Sequence, residues 1–210
     1  MHRLHVVTIL MYGWLGCLFF PLTALATPSD WTIKTERYRI LVSVQKTDEQ
    51  YFAVNAKMYV RATPVAFFAL LDNADRDCSW LANCKKITIL DRSLPNFRFV
   101  HTQFSSPWPA KDRDMYTKSE HVFSADKSHL SIHITDISSA YPANDNVITL
   151  QNVEAQWSMT HQFDQWYELN YYAKASVGGW IPNWLGEELL ISSTHDTFKS
   201  LRNLLHNVEP

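Results

Sequence analysis

The sequence predicts an α+β domain in which an antiparallel sheet packs on one long C-terminal helix. Three observations predict it. Period-two alternation of apolar and polar residues dominates residues 38–177. The turns between the alternating runs are short, and strands joined by short turns pair antiparallel. Near the end, Ile191, Thr194, Phe198, Leu201 and Leu205 recur at spacings of three and four, one stripe of an amphipathic helix. Such a helix must bury its stripe against the sheet. A curved sheet round a helix leaves either a filled core or a cavity, and the pattern leaves both open.

Taken in order, Tyr38, Ile40, Val42 and Val44 alternate with Arg39, Ser43 and Gln45. Phe52, Val54, Ala56, Met58 and Val60 alternate with Asn55, Lys57, Tyr59 and Arg61. Both runs read as strands with one apolar face. Thr63-Pro64 reads as a helix N-cap followed by proline at the first helical position, and VAFFALLDNA behind it as a short helix. KITILDR and FRFVHTQF flank the turn signal Pro95-Asn96. MYTKSEHVF, HLSIHITDI, VITLQNV, QWSMTHQF and WYELNYYAKASV continue the strand pattern. The total is eight or nine strands. The last helix runs from about Asn183 to about His206, with Glu187 and Glu188 near its start and Lys199, Arg202 and His206 near its end, as the helix dipole favours.

Composition narrows the function classes. The chain has 210 residues, 46% hydrophobic and 13% aromatic, which excludes a disordered, charge-rich tail. The net charge of -2 gives no global field for nucleic acid, so none is expected as a partner. Of five glycines, Gly13 and Gly16 lie in the N-terminal apolar segment; Gly178, Gly179 and Gly186 cannot build a phosphate-cradling GxGxxG or P-loop. No GxSxG, HExxH or Cys–His pairing presents itself. His129 and His133 share a strand face but stand roughly 13 Å apart, too far to share a metal. Neither a cofactor, a metal nor a catalytic residue is expected.

Residues 1–26 read as a secretory signal peptide, and 27–210 as one domain. Arg3 opens the segment, Val6–Phe20 carries no charge, Pro21 ends the run, and Ala24-Leu25-Ala26 supplies a small-x-small cleavage site. A membrane anchor is the alternative, but the run is short of the roughly 20 residues a span needs. Cleavage near Ala26 leaves 18 bases against 21 acids and two cysteines, Cys78 and Cys84. An even count in a secreted or periplasmic protein suggests a disulfide, with two free thiols as the alternative. No second Cys or His pair at ligand spacing favours a metal there.

Three motifs carry a resemblance. Trp80 follows the first helix; Pro107-Trp108-Pro109 precedes Arg113-Asp114; and Gly178-Gly179-Trp180-Ile181-Pro182-Asn183-Trp184-Leu185 leads into the C-terminal helix. In order and spacing these resemble the START domain, the StAR-related lipid-transfer domain, in its bacterial secreted form, over about Trp31 to Leu205. The chain departs from the family in having Ser176-Val177 before the double glycine and Glu154 where many members carry an Arg. The resemblance implies a helix-grip fold, with a curved antiparallel sheet around the C-terminal helix and a hydrophobic cavity between them. It implies non-covalent binding, and in some members transport, of one lipid, with no catalytic residues.

The candidate ligand-binding residues are Trp80, Trp108, Arg113, His101, Trp157, His161, Trp180 and Trp184. Seven tryptophans outside the leader exceed what a plain core needs, and Trp suits apolar binding walls. Trp108 between two prolines reads as a structural plug or as a cavity wall. Trp180 and Trp184 read as wedges between helix and sheet or as part of the site. Arg113 and Asp114 either pair across the sheet or face the cavity. His101 and His161 read as hydrogen-bonded core residues or as inward ligands. Asp72, Asp75, Arg76 and Asp77 read as a solvated loop. The expected function is one-to-one binding of a lipid or amphiphile by a monomer in transient contact with a membrane. The alternative is a cyclase- or hydrolase-type enzyme in the same cavity, with His101, Glu120 or His161 as its acid–base members.

Overall fold

The structure, a computed structural model, describes residues 31–37, 39–46, 51–106, 110–142, 144–176 and 183–206. The segment expected to be a signal peptide, Trp108 with its two prolines, and the junction from Gly178 to Pro182 lie outside the described residues. Strands β1 (Thr32–Arg37), β2 (Ile40–Lys46) and β3 (Tyr51–Val60) are followed by helix α1 (Pro64–Asp72). Then come β4 (Cys84–Asp91), β5 (Phe97–Phe104), β6 (Arg113–Phe123) and β7 (His129–Asp136). A 3-10 turn at Ser138–Ala140 leads to the short β8 (Ile148–Thr149). β9 (Glu154–Phe163), β10 (Trp166–Ser176) and helix α2 (Asn183–His206) complete the order.

The strands form one curved sheet in the order β1-β2-β3-β10-β9-β7-β6-β5-β4, antiparallel throughout that path. β8 pairs in parallel with the start of β6. The sheet is thus joined at its middle by β3 and β10, which run side by side from Tyr51↔Ser176 to Val60↔Tyr167. This is the α+β helix-grip arrangement the sequence predicts. Two strands differ from expectation. β1 is an additional edge strand, and VITLQNV contributes only Ile148–Thr149 as strand.

The inner face follows the alternation. Val54, Ala56, Met58 and Val60 of β3, Leu169 of β10, Met159 of β9 and Leu130 of β7 are buried. α2 lies closest to β2 and β3 and lays Phe198, Leu201 and Leu205 on this face, each with no exposed surface. α1 begins as predicted. The Thr63 hydroxyl accepts from the Ala66 N–H at 3.2 Å, and Pro64 occupies the first turn. Its Phe67 plugs the core against Trp157, ring centroids 5.5 Å apart.

After α1 the chain turns through a loop closed by the Cys78–Cys84 disulfide. The residues read as a solvated charge cluster are partly engaged instead. Asp72 takes Arg98 at 2.7 Å, and Asp75 takes Arg92 at 2.9 Å. These pairs tie the end of α1 to the β4–β5 hairpin. No helix among the described residues is long and apolar enough to cross a membrane.

Candidate functional site

The sheet and α2 do not meet along their whole length. The last turns of α2, with Leu201 and Leu205, pack solidly; from Gly186 to Phe198 the helix borders an open-sided cavity of about 300 Å³. Five structural pieces build it. Phe52 and Val54 of β3 with Ala173 and Tyr171 of β10 make the floor. Phe104 of β5 and Met115 of β6 make the far side. Gly186, Leu189 and Leu190 of α2 make the roof. Leu81, Ala82 and Asn83, inside the disulfide loop, close the side between roof and far wall. Leu150 and Val153, either side of the chain's turn into β9, close it from below.

Trp157 seals the cavity from the core. Its ring lies 4.2 Å from Tyr171 and 5.7 Å from Phe198, so one indole belongs to both the wall and the packed interior. Tyr171 is held neutral: burial pushes its phenol up to about 12. The disulfide loop is fastened to the roof by the Ala82 N–H, which donates to the Thr197 hydroxyl at 3.0 Å. Ser193 and Thr194 bring further hydroxyls to the helix side of the cavity. The Ser193 hydroxyl donates back to the Leu189 carbonyl at 2.6 Å, the usual way a helix absorbs a buried hydroxyl.

One end of the cavity is polar. Arg113, at the start of β6, lines it together with Asn83, Ser105 and Ser106. Its Nη1 donates to the Ser106 hydroxyl at 2.9 Å and to the Lys111 carbonyl at 3.2 Å. Partial burial lowers the guanidinium pKa from its ordinary value, yet such a group keeps its charge at any working pH. Among the described residues the cavity is therefore an apolar pocket with one fixed cation, Arg113, at its rim. Among the described residues no group of three or more His, Cys, Asp or Glu is placed to hold a metal.

The sequence candidates divide. Arg113 and Trp157 line the cavity. Trp80 is buried behind the wall, in the same loop as Leu81, Ala82 and Asn83. Trp184 sits in the first turn of α2, while Trp108 and Trp180 lie outside the described residues. His101 does not join them. It pairs in register with Tyr116 on the outer face, its Nε2 is hydrogen-bonded to the Asp114 carboxylate at 3.0 Å, and it stacks on Tyr116 at 4.1 Å. His161 is exposed at the β9–β10 turn, its ring bonded to the Asp164 carbonyl at 2.8 Å. Glu120 is exposed on the outer face of β6. Sequence reasoning missed Phe104, Met115, Leu189 and Leu190 as wall residues. Alternation marks which residues share a face, but the wall is set by where the helix departs from the sheet.

A sheet that grips its last helix around an apolar chamber has counterparts of known family. A family model described as START domain matches residues 22–210. The chain belongs to the START domain family. Members of this family in general bind or transfer lipid. The START-fold neighbours include the StAR-related lipid transfer protein of Xanthomonas axonopodis, 18% identical, with a TM-score of 0.74 over 84% of this chain and 99% of that one. They include human StAR-related lipid transfer protein 5, 12% identical, TM-score 0.71, over 86% and 88%. Human STARD10 is 16% identical, TM-score 0.68, over 81% and 72%. At such identities these likenesses show the fold alone. No curated protein sequence matches the chain significantly.

Proposed function

We propose that this START domain takes up one lipid or other amphiphile, non-covalently and one to one, in the chamber under the N-terminal half of α2. The observation that carries the reading is the pairing of an apolar cavity of about 300 Å³ with the cationic group of Arg113 at its polar end. That volume sits at the lower end of the range for ligand pockets, which are typically apolar with a few polar groups fixing orientation. The acyl or ring portion lies against Phe52, Met115, Leu190 and Trp157, and the head group turns toward Arg113, Ser105 and Ser106. Burial of apolar ligand surface stabilises the complex at about 25 cal/mol per Å². Membrane contact is transient, during loading and unloading, and carriage between membranes follows if both occur.

The place of action on this reading is outside the cytoplasm, after cleavage near Ala26, with the protein a monomer. The disulfide supports it, since such bonds persist in oxidising compartments. Native mass spectrometry of the full chain expressed with its leader and recovered from the periplasm tests the whole reading. The expected result is a mature N-terminus at Thr27 and a co-purifying lipid at a one-to-one ratio. A protein that emerges empty, and that no phospholipid, sterol or fatty acid stabilises, overturns it.

A further inference from the structure

The outer face of the sheet carries an anomaly. Strands disfavour Asn, yet Asn55 and Asn170 stand mid-strand in β3 and β10, facing away from the core that Val54, Ala56 and Leu169 fill. The register aligns them with residues of the same kind. One row crosses five strands through Ser43, Asn55, Tyr172, Gln156 and His133. The next row sets Asn170 beside Ser158 and Ser131, with Lys57 at its end. The rows beyond are charged, with Lys174 beside Glu154 on one side and Glu168 beside Tyr59 on the other. Between them lies a band of amides and hydroxyls.

These groups are unspent. Among the described residues the side chains of Ser43, Asn55, Ser158 and Asn170 make no hydrogen bond to protein, whereas Gln156 is tied to Ser131 at 3.3 Å. At the border of the band Tyr172 meets Trp31 edge-on, centroids 6.3 Å apart. Together they line an open groove of about 650 Å³ in which no lining side chain is charged.

We propose that this groove binds a neutral carbohydrate chain. A sugar presents neighbouring hydroxyls that each donate and accept. The carboxamides of Asn and Gln offer two donors and an acceptor without charge, so they match such a ligand more fully than any other side chain. The aromatic pair supplies apolar ring surface with a polar tip for the C–H faces of the sugar rings. A lipid tail finds no continuous apolar surface here. An anionic polymer needs a set of cations, and the groove is bordered by Lys57 and by a Lys174 that stands beside Glu154. The amides are mounted on paired strands, so their backbone positions are fixed before the ligand arrives, which lowers the ordering cost of binding. The site lies on the face opposite the lipid chamber and stands independently of it.

The test is titration of the full chain with two neutral probes, chitotetraose and cellotetraose, followed by the side-chain amide signals of Asn55, Gln156 and Asn170 and by tryptophan fluorescence. The expected result is saturable shifts confined to the outer face, for at least one probe. The double variant Asn55→Ala/Asn170→Ala weakens that binding at least tenfold while its melting midpoint and lipid uptake stay as in the parent. Should the double variant fold poorly, Asn170→Asp alone keeps the side-chain shape and still loses the affinity. The proposal is overturned by the absence of shifts with both probes, or by shifts mapping elsewhere. It is equally overturned by tighter binding of an acidic oligosaccharide, or by sedimentation showing the groove buried between two copies of the chain.

Discussion

Trp157 stands where the solid part of the molecule meets the hollow part, touching Phe67, Phe198 and Tyr171. Trp157→Ala is expected to cost about 3–5 kcal/mol, the range for truncating a buried large aromatic, read as a lowered unfolding midpoint in denaturant. Arg113→Met should behave oppositely, with lipid affinity falling several-fold, measured by displacement of a fluorescent fatty acid, and stability little altered. His121 supplies a pH response. Its ring packs 4.2 Å from Phe68; burial first, and then the charge of Arg98, push its pKa below the ordinary value, with Asp72 opposing. The unfolded chain takes up its proton near pH 6.5, and the folded chain does so only at lower pH. In that window the unfolded state holds more protons, so stability rises with pH and is lost as pH falls below about 6.5. His121→Phe should flatten that limb of a stability–pH curve; an unchanged slope would rule the assignment out. At this scale the sequence reveals face-sharing but not always which face is inner. In FRFVHTQF both faces carry large residues, Phe97 and Phe99 on one and Val100 and Phe104 on the other. Nothing local says that His101 points outward to Asp114 rather than inward to a ligand.

At the scale of elements, α2 is two different helices end to end. Leu201 and Leu205 are core and Gly186, Leu189 and Leu190 roof a cavity, with buried Phe198 at the boundary touching both. Leu201→Ala should cost about 2–5 kcal/mol. Leu190→Ala should cost much less in the empty protein, because its side chain already borders a void, and should show itself as weakened lipid binding. Amide hydrogen exchange should be faster over residues 186–194 than over 198–205, and the difference should narrow when lipid is added. Uniform protection along the helix would contradict the division. The disulfide loop belongs to the same wall. Replacing Cys78 and Cys84 by Ser should remove about 2 kcal/mol, as expected for so short a loop, and should loosen the wall that Ala82 fastens to Thr197. The bounds of α2, the capped start of α1 and most strands were legible because period and capping are local signals. β1 was not, since TIKTER offers a single apolar residue and no alternation, and that residue, Ile33, is 63% exposed. The run VITLQNV reads as a strand but serves mainly as a crossing segment, with Leu150 and Val153 turned to the cavity.

For the whole molecule, a lipid that fills the chamber binds the folded state and not the unfolded chain. At a hundredfold excess over its dissociation constant it should add about 2.7 kcal/mol, a rise in melting midpoint of roughly 5–10 °C for a domain of this size. The panel of phospholipids, sterols and fatty acids that checks this also ranks the ligands. The fold as a whole was legible because its strands, its last helix and its three motifs agree. The hollow was not, since a void leaves no residue pattern of its own. The seam between β3 and β10 carries a different consequence, one of timing. It joins residues 51–60 to residues 166–176 and so closes a loop of more than a hundred residues. Contacts that distant form slowly, because chain entropy is lost before they are rewarded. Local pieces such as the β4–β5 and β6–β7 hairpins can assemble while the polypeptide is still emerging. The first three strands cannot find their central neighbour until almost the entire chain is present, and α2 comes later still. The binding chamber is therefore the last part of the protein to exist. A nascent chain halted after Ser176 and before Asn183 should have its sheet and no capacity for lipid.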